Sequence, residues 1–212
     1  NNGTVNLFDG TITSNNSSNS IIFRNAIDIS IENATLSATN ISIEGYRGQL
    51  YFIENILNGN VAISDSISRT GPNTIYGNVF NGNLTITTNS ANTNAETFIS
   101  PSGWDADEVS GHATFNINAP VLFQVGDGNL FSIGQDLNLN TGVSSSFIEL
   151  NNIRFYGGSV SHIRQLGTTP VTIQDLYPEK NSAQDYIIPE QNVFIGNNVQ
   201  FSTGIIKTTP TK

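Results

Sequence analysis

One short pattern recurs along this chain and limits what it can fold into: an apolar residue, a glycine close behind it, and an apolar pair spaced by one residue after that. Ile56-Leu57-Asn58-Gly59-Asn60-Val61-Ala62-Ile63 is followed by Val79-Phe80-Asn81-Gly82-Asn83-Leu84-Thr85-Ile86. Weaker copies surround Gly111, Gly134, Gly158 and Gly196. Gly59 to Gly82 is 23 residues, Gly111 to Gly134 is 23, and Gly134 to Gly158 is 24. A fixed period of this size marks a stacked array rather than a globule with one closed core. The longer intervals, 29 from Gly82 to Gly111 and 38 from Gly158 to Gly196, imply coils that carry insertions, placed after Thr88 and after Ile173.

Each period holds three short apolar segments, such as Ala113-Thr114-Phe115, Val121–Val125 and Leu130–Ile133. Their period-two alternation puts the apolar side chains on one face of a strand. Ile, Val, Phe and Thr suit a pleated, half-buried surface. Gly, Asn, Asp and Ser, which tolerate tight turns, fill the gaps. No long stretch has helical spacing, and Leu166–Asp185, which lacks the rhythm, reads as a loop. The predicted fold is all-β: one right-handed parallel β-helix of about 23-residue coils spanning residues 1–212 as a single domain. The hand comes from the crossover rule alone. About nine coils give a rod on the order of 40 Å long. An antiparallel sandwich also has short, evenly spaced strands, but does not explain a spacing that resets every third strand.

Charged residues make up only 12% of the chain, while Asn occurs 30 times, so polarity comes from amides and hydroxyls. The net charge of −9 argues against nucleic acid and against an anionic membrane surface. No apolar run is long enough to span a bilayer. Cys is absent, which fits a protein that folds outside the cell without disulfides. Met is absent even at residue 1, and neither terminus reads as a cap. The expectation is therefore a piece of a larger exported protein, with neighbouring coils or subunits continuing the stack.

Phe80-Asn81-Gly82-Asn83-Leu84-Thr85-Ile86-Thr87-Thr88-Asn89-Ser90 resembles the repeats of large surface adhesins exported by Bacteroidetes. Val199–Thr208 is similar to a segment that often ends such repeat regions. The resemblance covers most of residues 56–206, and a more distant one links the chain to haemagglutinin-type passenger domains. It implies an extracellular or cell-surface structural or adhesive role, glycans or host-surface proteins as partners, and no catalytic residues to carry over.

The rival expectation is a carbohydrate-active β-helix, a polysaccharide lyase, hydrolase or sugar-binding module. Hydrolysis of that kind needs converging carboxylates. The Asn-Thr-Asp, Asp-Asp and Gly-His-Gly motifs of polygalacturonase-like enzymes are missing; Gly111-His112-Ala113 comes nearest. His112 reads as a solvent-facing strand residue, and the His162 and Arg164 of Ser161-His162-Ile163-Arg164 as an outward-facing polar pair. The chain is therefore not expected to be an enzyme. Asp105-Ala106-Asp107-Glu108 is the densest acidic cluster, and Asp105, Asp107 and Glu108 are candidate ligands for Ca²⁺, which takes six to eight oxygens. Without metal the same residues form a solvated acidic turn. Trp104 beside them is a candidate ring for stacking on a sugar, or a seal over the seam. The Asp175–Gln191 stretch supplies Tyr177 and Tyr186 as further candidate binding residues, since loops on a rigid scaffold commonly carry recognition. A flat Thr array of the ice-binding kind would need Thr at each equivalent of Thr85. Ala62, Thr114, Asn138 and Ser161 are read as those equivalents, so the array is broken.

Overall fold

The computed structural model describes residues 3–15, 19–144, 147–167, 170–190 and 193–208. The chain winds as an all-parallel β-solenoid of about eight coils, with a further partial turn over 193–207. Three sheets run along the rod. The first begins Val5–Phe8, Ile29–Glu32, Leu50–Ile53, Asn73–Tyr76 and continues through Thr97–Ile99 and Phe123–Val125. Val79–Phe80, Glu108–Val109 and Phe131–Ile133 belong to the second sheet. Leu84–Thr88, Ala113–Ile117 and Leu137–Thr141 belong to the third. Among the described residues no helix is long and apolar enough to cross a membrane.

Register explains the core. On the third sheet Ile41, Val61, Leu84, Ala113, Leu137 and Ile163 stack in successive coils, all buried. On the second, Leu36, Leu57, Phe80, Val109 and Ile133 do the same. Period-two alternation turns every second side chain inward, and coil stacking lines these up into continuous apolar ladders.

Gly59, Gly82, Gly111, Gly134 and Gly158 occupy the corner between the second and third sheets. A Cβ on Gly82 would lie 2.5 Å from the Gly59 carbonyl oxygen, and one on Gly111 would lie 2.8 Å from that of Gly82. Consecutive coils therefore approach too closely here for any side chain, which is why the repeat is written in glycine.

The extra length between Gly82 and Gly111 lies mostly after Ile99 rather than directly after Thr88. Against the preceding coil the register offset is 23 at Thr87, 24 at Thr97 and 29 at Glu108, so 89–96 adds one residue and the excursion 100–107 adds five. The stretch after Ile173 differs from expectation. Val171–Lys180 is one continuous strand, paired to Ile148–Gly157 on one side and Val193–Val199 on the other. The 38-residue interval arises because Gly196 lies at the corner between the first and second sheets, where the register shifts, whereas Gly158 lies at the second corner. Among the described residues of this stretch, only the short turn 181–186 leaves the coil.

The interior also holds polar groups. Asn55 Nδ2 donates to Asn78 Oδ1 (2.9 Å) and Asn78 Nδ2 donates to Asp107 Oδ1 (2.8 Å), with all three buried. Asn55 and Asn78 also donate to the Ile31 and Phe52 carbonyls. This ladder satisfies backbone groups at the first corner, where the chain turns between strands. One buried ion pair lies among the described residues. Arg69 Nε meets Asp65 Oδ2 at 2.5 Å, and the remaining guanidinium hydrogens reach the carbonyls of Gly71, Ala95 and Glu96 and the Thr97 hydroxyl. Beside it the buried Tyr46 hydroxyl donates to Asn73, which donates to Thr97. Burial pushes that hydroxyl well above the usual tyrosine range.

Candidate functional site

The acidic run diverges. Glu108 opens a strand, so alternation turns Asp107 inward and Glu108 outward. Asp107 Oδ1 accepts the Asn78 amide and side chain, and Oδ2 accepts the Ser100 amide and hydroxyl. Glu108 sits 3.9 Å from Arg154 on the outer face. Asp105 is exposed in the loop, its carbonyl accepting the Gly77 amide. Among the described residues no three His, Cys, Asp or Glu side chains come together as a metal-holding group.

Burial pushes the Asp107 carboxyl up to about 6, against four hydrogen bonds that pull it down. A folded value above the unfolded one means that the folded state binds the proton more tightly. Its contribution to stability is therefore largest at low pH and is lost as pH rises through about 6, by about 3 kcal/mol in all. Urea titrations of the parent and Asp107→Asn should show this. Between pH 4.5 and 7 the parent should lose stability relative to the variant; parallel profiles would contradict the assignment.

The aromatic candidates lie on different edges of the rod. Trp104 stacks on Tyr76 at 4.6 Å while remaining half exposed, and its carbonyl accepts the Asn129 side chain. It thus seals the excursion against the neighbouring coil and still shows one face to solvent. Tyr177 is on the second sheet and donates to Asn152 at 3.2 Å. Tyr186 is in the 181–186 turn, with Lys207 Nζ 3.4 Å from its ring centre.

Sequence reading missed a charged network on the third sheet that gathers both histidines. Asp136 lies at its centre, just before Leu137–Thr141. Arg164 Nη1 donates to Asp136 Oδ2 at 2.6 Å, and the His162 amide donates to Oδ1 at 2.8 Å. His112 Nδ1 accepts the Asp136 amide at 3.3 Å; once protonated, the same nitrogen faces the carboxylate at 3.2 Å. His162 Nδ1 meets Glu190 at 2.6 Å and so carries the proton in that contact. Burial raises the Asp136 carboxyl, but the His162 amide and Arg164 outweigh it and hold it below the usual carboxylate range. Five side chains from four consecutive coils are tied together here. The signal was the spacing: His112 to Asp136 is 24 residues and Asp136 to His162 is 26, each about one coil. The same register corrects the Thr85 equivalents: Ala62, Thr114 and Asn138 hold, but the fourth is Arg164, because Leu137 pairs with Ile163.

Ser161 points inward and is fully buried with Lys180, whose Nζ donates to its hydroxyl at 2.7 Å and to the Tyr156 carbonyl. Burial pushes the Lys180 ammonium down to about 8. A serine beside a depressed lysine is a nucleophile–base arrangement. Both are enclosed, however, so in this conformation the pair plugs the coil and meets no substrate.

A groove of about 500 Å³ follows the glycine corner over the first four coils. Its amides bond along the rod, Asn81 to Asn58 at 2.8 Å and Asn58 to Ser37 at 3.0 Å. Comparison with family models, with curated proteins and with solved structures finds no match.

Proposed function

We propose that the chain is a rigid structural and adhesive segment of an extracellular surface protein. The observation that carries this reading is the direction of its side-chain hydrogen bonds, which run from coil to coil along the axis. Asn116 donates to Thr87, Asn118 to Asn89, Asn138 to Thr114, Gln124 to Glu149 and Asn198 to Asp175. An amide both donates and accepts, so it can continue a ladder in register, whereas like charges stacked in this way would repel. The Asn richness and low charge of the chain follow from that demand. Polar chemistry that an enzyme would gather in a cleft here stiffens a rod, and the rod needs no disulfide to hold its shape.

Antibodies raised against the chain are expected to label intact cells of the source organism. Labelling only after permeabilisation would overturn the extracellular reading. Pulled from its two ends, the rod should unfold at high force and equally with or without reductant; gradual unravelling at low force would overturn the structural role.

A further inference from the structure

We propose that a cleft on the outer face of the first sheet, across the first three coils, binds a neutral sugar. Its volume is about 340 Å³, the size of a small-ligand site. Register builds it. Asn6, Ser30 and Tyr51 occupy one outward position in successive coils, and Phe8 and Glu32 share the next. The small Ser30 is the floor, only 9% exposed although it points outward, because its larger neighbours wall it in. The walls are two rings that the core does not use: Phe8 is 54% exposed and Tyr51 39%.

The polar groups are held in place. Ser30 Oγ donates to Glu32 Oε1 at 2.5 Å, the Gln49 amide donates to Asp28 Oδ1 at 2.8 Å, and the Tyr51 hydroxyl donates to Gln49 Oε1 at 2.6 Å. These bonds leave the second oxygen of each carboxylate as an acceptor and the Gln49 NH₂ as a donor. Adjacent acceptors and donors match the vicinal hydroxyls of a pyranose, and an aromatic face matches its C–H surface. Among the described residues two carboxylates and no cation line the cleft, so a uronate or sulfated sugar would meet like charge. The inference rests on the adhesive half of the proposed function for the class of partner; the rod stands without it.

The test is calorimetric titration of the whole chain with cellotetraose, mannotetraose and chitotetraose. Tetragalacturonate serves as the anionic control and tetralysine as the basic one. At least one neutral oligosaccharide should bind and tetragalacturonate should not. Phe8→Ala and Tyr51→Ala should each weaken binding at least tenfold, and Glu32→Gln should weaken it measurably, with melting temperatures kept near the parent's. Should Tyr51→Ala melt early, Phe8→Ala, at the end of the rod and more exposed, carries the comparison. No binding of any neutral sugar, affinity indifferent to both ring deletions, or binding of tetragalacturonate or of tetralysine alone would overturn the proposal. An unchanged melt in those cases would leave the rod untouched.

Discussion

Asp65→Ala is expected to destabilise the rod by about 3–5 kcal/mol, the cost of leaving a buried guanidinium without its counter-charge. Arg69 is fully enclosed and Asp65 nearly so, with both side chains shut off from solvent. Asp65 also accepts the Asn89 amide through Oδ1, so a backbone donor loses its partner as well. Removing the arginine too should recover part of the loss: Asp65→Ala with Arg69→Met is expected to be more stable than Asp65→Ala alone. Chemical denaturation of the two single variants and the double variant measures this. An Asp65→Ala protein within about 1 kcal/mol of the parent would mean that the pair is not buried as described.

Gly59→Val should be comparably severe. Gly59 has φ near +153°, a conformation that side chains rarely adopt, and a Cβ there would overlap the Ala38 carbonyl oxygen of the coil below. The clash is with backbone, so relief requires the two coils to separate and lose hydrogen bonds on both sides. A loss of about 3 kcal/mol or more is expected from strain and overpacking together. Gly142 is the control. A Cβ there meets only the Ile117 carbonyl at 3.7 Å, so Gly142→Ala should be neutral or stabilise by about 0.5 kcal/mol through the unfolded chain. Thermal melts of the two variants should therefore move apart. Equal effects would mean that the glycine corner is not a close approach.

The glycine corner was legible because its cause is local and repeated: Gly59, Gly82, Gly111 and Gly134, in consecutive coils, each sit where a Cβ would meet the backbone of the coil before. The inward apolar ladders were legible for the same reason. The polar interior was not. Asn55, Asn78 and Asp107 look like ordinary turn residues along the chain, yet their intervals of 23 and 29 repeat those of Gly59, Gly82 and Gly111. Following the polar residues at the glycine period would have taken Asp107 out of the acidic run and into the ladder. Arg69 gave no such signal: beyond Asp65 and the Gly71 carbonyl close by in sequence, the partners that hold it inside are the Ala95 and Glu96 carbonyls and the Thr97 hydroxyl of the neighbouring coil. Coil eight was misread because Gly196 was matched to the wrong corner; Leu176, inward and buried, was the better marker. The cleft at Phe8 and Tyr51 was missed because its rings lie 43 residues apart and meet only across two coils.

The most direct test of coil-on-coil stacking is a distance along the axis. Spin labels at Asn6 and Phe194 would sit on the outer face of the first sheet in its first and last strands, eight rises apart. Pulsed electron–electron resonance should give a single narrow distance near 38 Å, from about 4.8 Å per coil. A distance below about 25 Å, as two packed sheets of short strands would give, would contradict the solenoid.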